Sequence, residues 1–260
     1  MANEPKPEEE EELEEGTLLS HLVELRSRLV KAFIAVMVVF VCLFPFSRQL
    51  FDLASAPLVA VLPGGQMIAT EPLTPLITPL KLALLLALLV AMPIVLYQVW
   101  AFVAPGLYKK EKRFAFPMLA SSIFLFYAGV AFAYFVVFPL IFGFITSYAS
   151  DQINVMTDIS SYLSFVSIIV LAFGLAFEVP VATVLIVWTG LVTPEKLAKA
   201  RPYVFLTAFV VGMFLTPPDV FSQTMLAIPV YLLYELGLFM SRFFVRKPEE
   251  NDEEAVAADG

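Results

Sequence analysis

The sequence is poor in the residues that usually carry chemistry: 260 positions hold one cysteine and one histidine. Cys42 has no second thiol with which to close a disulfide in the chain, and His21 alone completes neither a metal cluster nor a catalytic triad. Thiol and metal chemistry are not expected on those grounds, and neither a cofactor nor an enzyme is expected. Charge is scarce as well, 15% against 60% hydrophobic residues, and the mean hydropathy is +0.84. A soluble domain could not cover its surface from such a composition. The chain reads as an integral membrane protein. It lacks the basic n-region of a cleavable signal, so its first apolar run is expected to be a retained spanning helix. It also lacks the inverted internal repeat of many secondary transporters.

What charge there is lies unevenly. The formal charge of -8 arises from two tails, EPKPEEEEELEE at 4–15 and PEENDEEAVAADG at 248–260; the rest carries 10 acids and 15 bases. Segments this rich in like charge are expected to be solvated and disordered. The organisation read from this is an acidic tail at 1–19, a membrane domain at 20–247 and an acidic tail at 248–260. A net positive core gives no reason to expect nucleic acid, since its bases sit beside apolar runs.

About 20 apolar residues are needed to cross a bilayer. Runs at 29–46, 76–102, 115–138 and 162–187 meet that length, followed by shorter ones at 202–215 and 221–241 separated by TPPD at 216–219. The expected fold is an all-α integral membrane protein with six transmembrane helices, the last two short. Fourteen bases fall on alternate connections: Lys6, Arg26, Arg28 and Lys31; KKEKR at 109–113; Lys196, Lys199 and Arg201; Arg242, Arg246 and Lys247. Only Arg48 and Lys81 fall on the other side. The positive-inside bias therefore places both termini in the cytoplasm, N-in and C-in.

Four stretches hold polar residues that need a reason. In FGLAFEVPVATVLIVW, Glu178 sits inside a span two residues before Pro180. An intramembrane carboxylate faces a bundle interior, a cavity or a partner, or it is a protonated group hydrogen-bonded to a neighbouring helix. In HLVELRSRL, Glu24 and Arg28 stand at i and i+4, which suits a surface ion pair or a carboxylate offered to a basic ligand. Glu111 is the one acid among the bases of the first cytoplasmic loop. Met213, Thr216 and Gln223 flank the outer turn of the last two spans, where Gln in a membrane seeks a partner. Asp219 reads as a helix cap, and Glu235 as structural near the inner end of the last span.

These stretches in one order, HLVELRSRL, YQVWAFVAPGLYKKEKR, SYLSFVSIIVLAFGLAFEVPVA and RPYVFLTAFVVGMFLTPPDVFSQTMLAIPVY, resemble the TatC family from about residue 20 to 245. The resemblance implies the receptor subunit of the twin-arginine protein translocase in a bacterial cytoplasmic (inner) membrane. It implies binding of twin-arginine signal peptides on folded cargo and assembly with the single-span partners TatA and TatB into a multimeric complex driven by the proton-motive force. Carried over residue by residue, the signal-peptide positions are Glu24 and Glu111 with Arg26, Phe102, Leu107 and Arg113. The intramembrane and partner-helix positions are Glu178, Met213, Thr216 and Gln223; Pro57 and Asp219 match further functional positions on the outer side.

Two other classes fit less well. A proton-coupled solute transporter needs a path of ionisable groups, whereas Lys81, Asp219 and Glu235 lie towards the span ends and leave Glu178 alone near the middle. An intramembrane protease needs a buried nucleophile with its base, paired aspartates or a metal cluster, and the only histidine lies outside the spans.

Overall fold

The computed structural model describes residues 7–59, 68–103, 112–141, 143, 158–215 and 220–244, with side chains placed from Ser20 onward except at 56–59, 112–115, 222 and 244. Helix α1 (Pro7–Leu43) passes through a 3-10 turn at Phe44–Phe46 into α2 (Ser47–Val59). Then come α3 (Thr74–Val103) and α4 (Lys112–Phe132), the latter continued by a π-helical turn at Ala133–Val137. Helices α5 (Ile159–Ala176), α6 (Val179–Trp188), α7 (Pro194–Leu215) and α8 (Val220–Ser241) complete the order. They form six membrane-capable segments, of which the last two, of 22 and 19 residues, are the shortest but one and the shortest. Large apolar side chains such as Phe124, Phe135 and Phe214 are exposed along them, at 72%, 72% and 77%. Such a surface needs lipid or another apolar helix to cover it.

Three boundaries differ from those expected. Helix α1 starts at Pro7, inside the acidic stretch expected to be disordered. Glutamate is a good helix former, proline suits a first helical turn, and acids there complement the helix dipole. The fifth helix starts at Pro194 rather than near residue 202, because its charged first two turns are helical although hydropathy does not count them as apolar. The fourth span is two helices, broken at Phe177–Glu178. Pro180 has no N–H to donate to the carbonyl four residues back, and its ring clashes there.

The contacts fall into two compact units, Met1–Ile123 with Ala149–Ser167, and Phe124–Tyr148 with Ile168–Gly260. In the first, α1 and α2 pack on α3. Trp100 Nε1 donates to Ser122 Oγ at 3.1 Å in the buried α3–α4 contact, which satisfies two polar groups that would be costly in an apolar interior. In the second, α6 and α7 both pack on α8. The α6–α8 approach depends on Gly237, where an added Cβ would lie 2.8 Å from Pro180 Cα and 3.0 Å from Thr183 Cβ. Small residues let membrane helices approach closely, and here the neighbour is backbone that cannot swing aside.

Candidate functional site

Each unit holds polar side chains that stand out among its apolar surroundings. In the first unit, Glu24 lies half-buried on α1, where Arg28 one turn later donates Nη2 at 2.6 Å and Nε at 2.9 Å to its Oε1. Both bonds go to one oxygen. Carboxylate lone-pair sites on Oε2 therefore remain for another donor. His21, one turn before Glu24, stacks on Phe102 with ring centroids 4.3 Å apart and planes 27° from parallel. This contact ties the end of α3 to the turn of α1 that carries Glu24, so two of the expected signal-peptide positions share one neighbourhood. Arg26 is exposed on α1. Glu111 and Leu107 lie outside the described residues, as does the side chain of Arg113, whose backbone is in the first turn of α4.

On the opposite end of the same unit, a feature not anticipated from the sequence fixes the outer segment. Ile68 and Asp158 form an isolated parallel bridge, with Ile159 N donating to Ile68 O at 3.0 Å. The Asp158 carboxylate accepts from Ser161 N at 2.9 Å and Ser161 Oγ at 3.0 Å on one oxygen, and from Thr70 Oγ1 at 3.0 Å and Thr70 N at 3.2 Å on the other. It therefore caps α5 and holds the segment before α3 with the same group. The Ser161 backbone donor above all, then the Thr70 and Ser161 side chains, hold its pKa down, from 3.8 to about 2. The sequence signal was the spacing DISS, an N-cap aspartate before an apolar run.

Because the folded-state pKa is depressed, the stabilisation is present above the ordinary value and fades as pH falls through the folded one. The Asp158 carboxyl carbon resonance is accordingly expected to titrate near about pH 2 rather than 3.8. Protection of the Thr70 and Ser161 amides, corrected for intrinsic exchange, is expected to persist through pH 3.8 and disappear only towards pH 2. In Asp158→Ala it should be low throughout. A carboxyl titrating at its ordinary value would contradict this linkage.

In the second unit, Glu178 occupies the break between α5 and α6, half-buried, with its backbone carbonyl accepting from Ala182 N at 2.9 Å and no capping bond from its side chain. Near the other end of α8, Gln223 donates Nε2 to Phe209 O of α7 at 2.7 Å, and its Cγ lies where a Cβ on Gly212 would come within 3.3 Å. Gln223 thus has a partner inside the fold, and its amide oxygen remains as an acceptor. Met213, next to Gly212 in α7, is half-exposed. Thr216 and Asp219 lie outside the described residues, and of Pro57 only the backbone, in α2, is described. An apolar cavity of about 540 Å³ opens between α5, α7 and α8, walled by Leu171, Phe173, Val211, Leu215, Leu226 and Val230.

Glu235 was read as structural, and its contacts agree. Arg201 Nε and Nη2 reach Glu235 Oε1 and Oε2 at 2.7 and 2.8 Å, the two-pronged geometry that matches guanidinium to carboxylate. Tyr231 Oη adds a third donor at 3.0 Å, and Tyr234 Oη donates to Leu197 O at 2.7 Å. These bonds fasten the basic ends of α7 and α8 together.

A family model described as Sec-independent protein translocase protein (TatC) matches residues 20–229. The Sec-independent protein translocase protein TatC of Escherichia coli (strain K12) is 57% identical over 237 residues, covering 91% of this chain and 92% of that protein. Its namesake in Haemophilus influenzae is 52% identical over 239 residues, covering 92% and 93%, and that of Aquifex aeolicus 38% over 235, covering 90% and 98%. Among solved structures, a crystal structure of the twin-arginine translocase receptor TatC superposes with a TM-score of 0.79 at 38% identity, over 87% of this chain and all of that one.

Proposed function

The chain belongs to the TatC family of Sec-independent protein translocase proteins, a multi-pass membrane transport component and not an enzyme, and on that premise we propose that it is the subunit that receives twin-arginine signal peptides. The supporting observation is Glu24: a half-buried carboxylate midway along α1, beside Arg26, Arg28 and Lys31, with one oxygen engaged by Arg28 and the other left for a donor, one turn from the His21–Phe102 stack. Two guanidinium groups in an incoming peptide require carboxylates in fork-like geometry. Glu24 and Glu111 supply them, each among bases that repel a misregistered peptide. Arg26, Phe102, Leu107 and Arg113 shape the same surface. Exposed pairs contribute up to about 1 kcal/mol each, so the apolar part of the signal peptide anchors while its arginines select.

The same reading gives the second unit to partners. A single-span helix of a TatA or TatB subunit lies along the apolar cavity between α5, α7 and α8, its polar groups meeting Met213, Thr216 and Gln223 and, at the helix break, Glu178. Pro57 and Asp219 serve on the outer side. The assembly is a multimer in the bacterial inner membrane with both termini cytoplasmic, and the proton-motive force drives folded cargo through it.

The test is selective binding of a synthetic signal peptide by the full chain in nanodiscs. A peptide with paired arginines is expected to bind roughly tenfold more tightly than its paired-lysine counterpart, because lysine is a point charge and cannot form the fork. Equal affinities would contradict recognition by carboxylates.

A further inference from the structure

The basic end of the α7–α8 hairpin holds a cavity of about 650 Å³ lined by Pro194, Glu195, Ala198, Lys199 and Arg242. Its walls are the first two turns of α7 and the residue that follows α8. The Arg201–Glu235 pair and the Tyr234–Leu197 bond brace the hairpin at this end. Arg201 is thereby neutralised. Two ion pairs occur among the described residues, Arg28–Glu24 and Arg201–Glu235, and neither includes Lys199 or Arg242. Two exposed cations, Lys199 and Arg242, and one carboxylate, Glu195, consequently line the cavity, with Arg242 in electrostatic reach of both Glu195 and Glu235.

We propose that this cavity binds the headgroup of an anionic phospholipid, a monoanionic phosphodiester carrying hydroxyl groups. Basic pockets between spanning helices at this depth suit lipid phosphates. The Arg242 guanidinium offers paired N–H donors to two phosphate oxygens, and the Lys199 ammonium reaches a third position on its flexible stem. Glu195 sets the selectivity. Its carboxylate already accepts from its own backbone N–H and the Thr193 hydroxyl; a remaining lone pair accepts from a headgroup hydroxyl, and the charge repels a second negative charge on the phosphate. A phosphatidylglycerol headgroup satisfies all three side chains and neutralises the cavity's net charge of one. A zwitterionic phosphatidylethanolamine leaves that charge uncompensated. A phosphatidic acid monoester brings up to two charges and no headgroup hydroxyl. The fatty chains continue along the exposed apolar flank of α8, where Leu236 and Phe239 are exposed, with Phe243 in the 3-10 turn that follows. The site is independent of whether the chain takes signal peptides.

The experiment uses the full chain in nanodiscs of mixed phosphatidylglycerol and phosphatidylethanolamine, with the lipids retained after gentle extraction counted by native mass spectrometry. Phosphatidylglycerol is expected to be enriched over phosphatidylethanolamine, and Lys199→Gln and Arg242→Gln each to reduce that enrichment roughly fivefold. Arg48→Gln, a base at the other membrane face, should leave it unchanged. Glu195→Gln should allow phosphatidic acid to compete where the unaltered chain rejects it, a gain that a misfolded protein would not produce. Undiminished phosphatidylglycerol in the Lys199→Gln/Arg242→Gln double variant would overturn the proposal, as would equal retention of the two lipids. Displacement of the lipid by soluble glycerophosphoglycerol, the same monoanionic diester without fatty chains, would overturn the assignment to a lipid in favour of a free anion.

Discussion

Alanine at both Glu24 and Glu111 is expected to abolish capture of a twin-arginine signal peptide while leaving membrane insertion intact. Insertion depends on the apolar spans, and neither acid lies within their apolar cores. Each charge-assisted pair near the surface contributes roughly 1 kcal/mol, about fivefold in affinity, and a fork geometry adds to that. Two losses together should weaken binding at least roughly 25-fold, enough to remove the cross-linked product. Arg28 provides the contrast. It holds Glu24 Oε1 at 2.6 Å, and so it competes with an incoming guanidinium for the same carboxylate. Arg28→Gln should therefore preserve or raise peptide affinity, whereas Glu24→Gln, which keeps size but loses charge, should lower it. Equal losses in Arg28→Gln and Glu24→Gln would mean that the i,i+4 pair is only a helix brace. Affinity is measured by titrating labelled peptide into nanodisc-held protein, and insertion by protease accessibility.

Reversing one partner of the Arg201–Glu235 pair is expected to be the most damaging change to the second unit. Either Arg201→Glu or Glu235→Arg places two like charges within bonding distance at the contact that fastens α7 to α8, so that repulsion replaces a two-pronged, charge-assisted pair. Either change alone should lower the thermal midpoint in detergent and reduce the amount of chain recovered from membranes. The double reversal restores opposite charges at the same two positions and should recover most of both. Tyr231→Phe removes only the hydroxyl donor at 3.0 Å and should cost much less than Glu235→Ala, which strips the partner from both prongs of Arg201. A double reversal as damaged as the single changes would show that the fastening depends on side-chain shape rather than charge.

The spans were legible because hydropathy integrates over 20 residues, but the break at Phe177–Glu178 was not, because prolines such as Pro79, Pro93 and Pro229 sit inside continuous helices of the same chain and hydropathy does not tell them from Pro180. The start of α7 at Pro194 was not, because a helix whose first turns carry Lys196, Lys199 and Arg201 is invisible to a scale that scores only apolar runs. Its polar turns are held by a partner 34 residues away, Glu235. The same limit applies at Asp158, whose capping role is local and readable in DISS, but whose bonds to Thr70 span 88 residues. His21 was counted only as too solitary for metal or triad chemistry; its stack on Phe102 is an α1–α3 contact that no spacing within either segment reveals. Glu24 and Arg28 were readable as an i,i+4 pair, yet the sequence could not say that both bonds converge on one carboxylate oxygen. That detail is what leaves the other oxygen for a ligand.

The central claim is that the surface around Glu24 meets the arginine pair of a signal peptide. A photo-cross-linker placed at position 24 of the full chain, in membranes that also contain TatA and TatB, tests it most directly. The expected result is an adduct to a twin-arginine signal peptide at residues beside its arginines, lost when the pair is replaced by lysines and absent from a cross-linker at position 223. An adduct to partner helices alone, or one to the peptide that is indifferent to its arginines, would contradict the account.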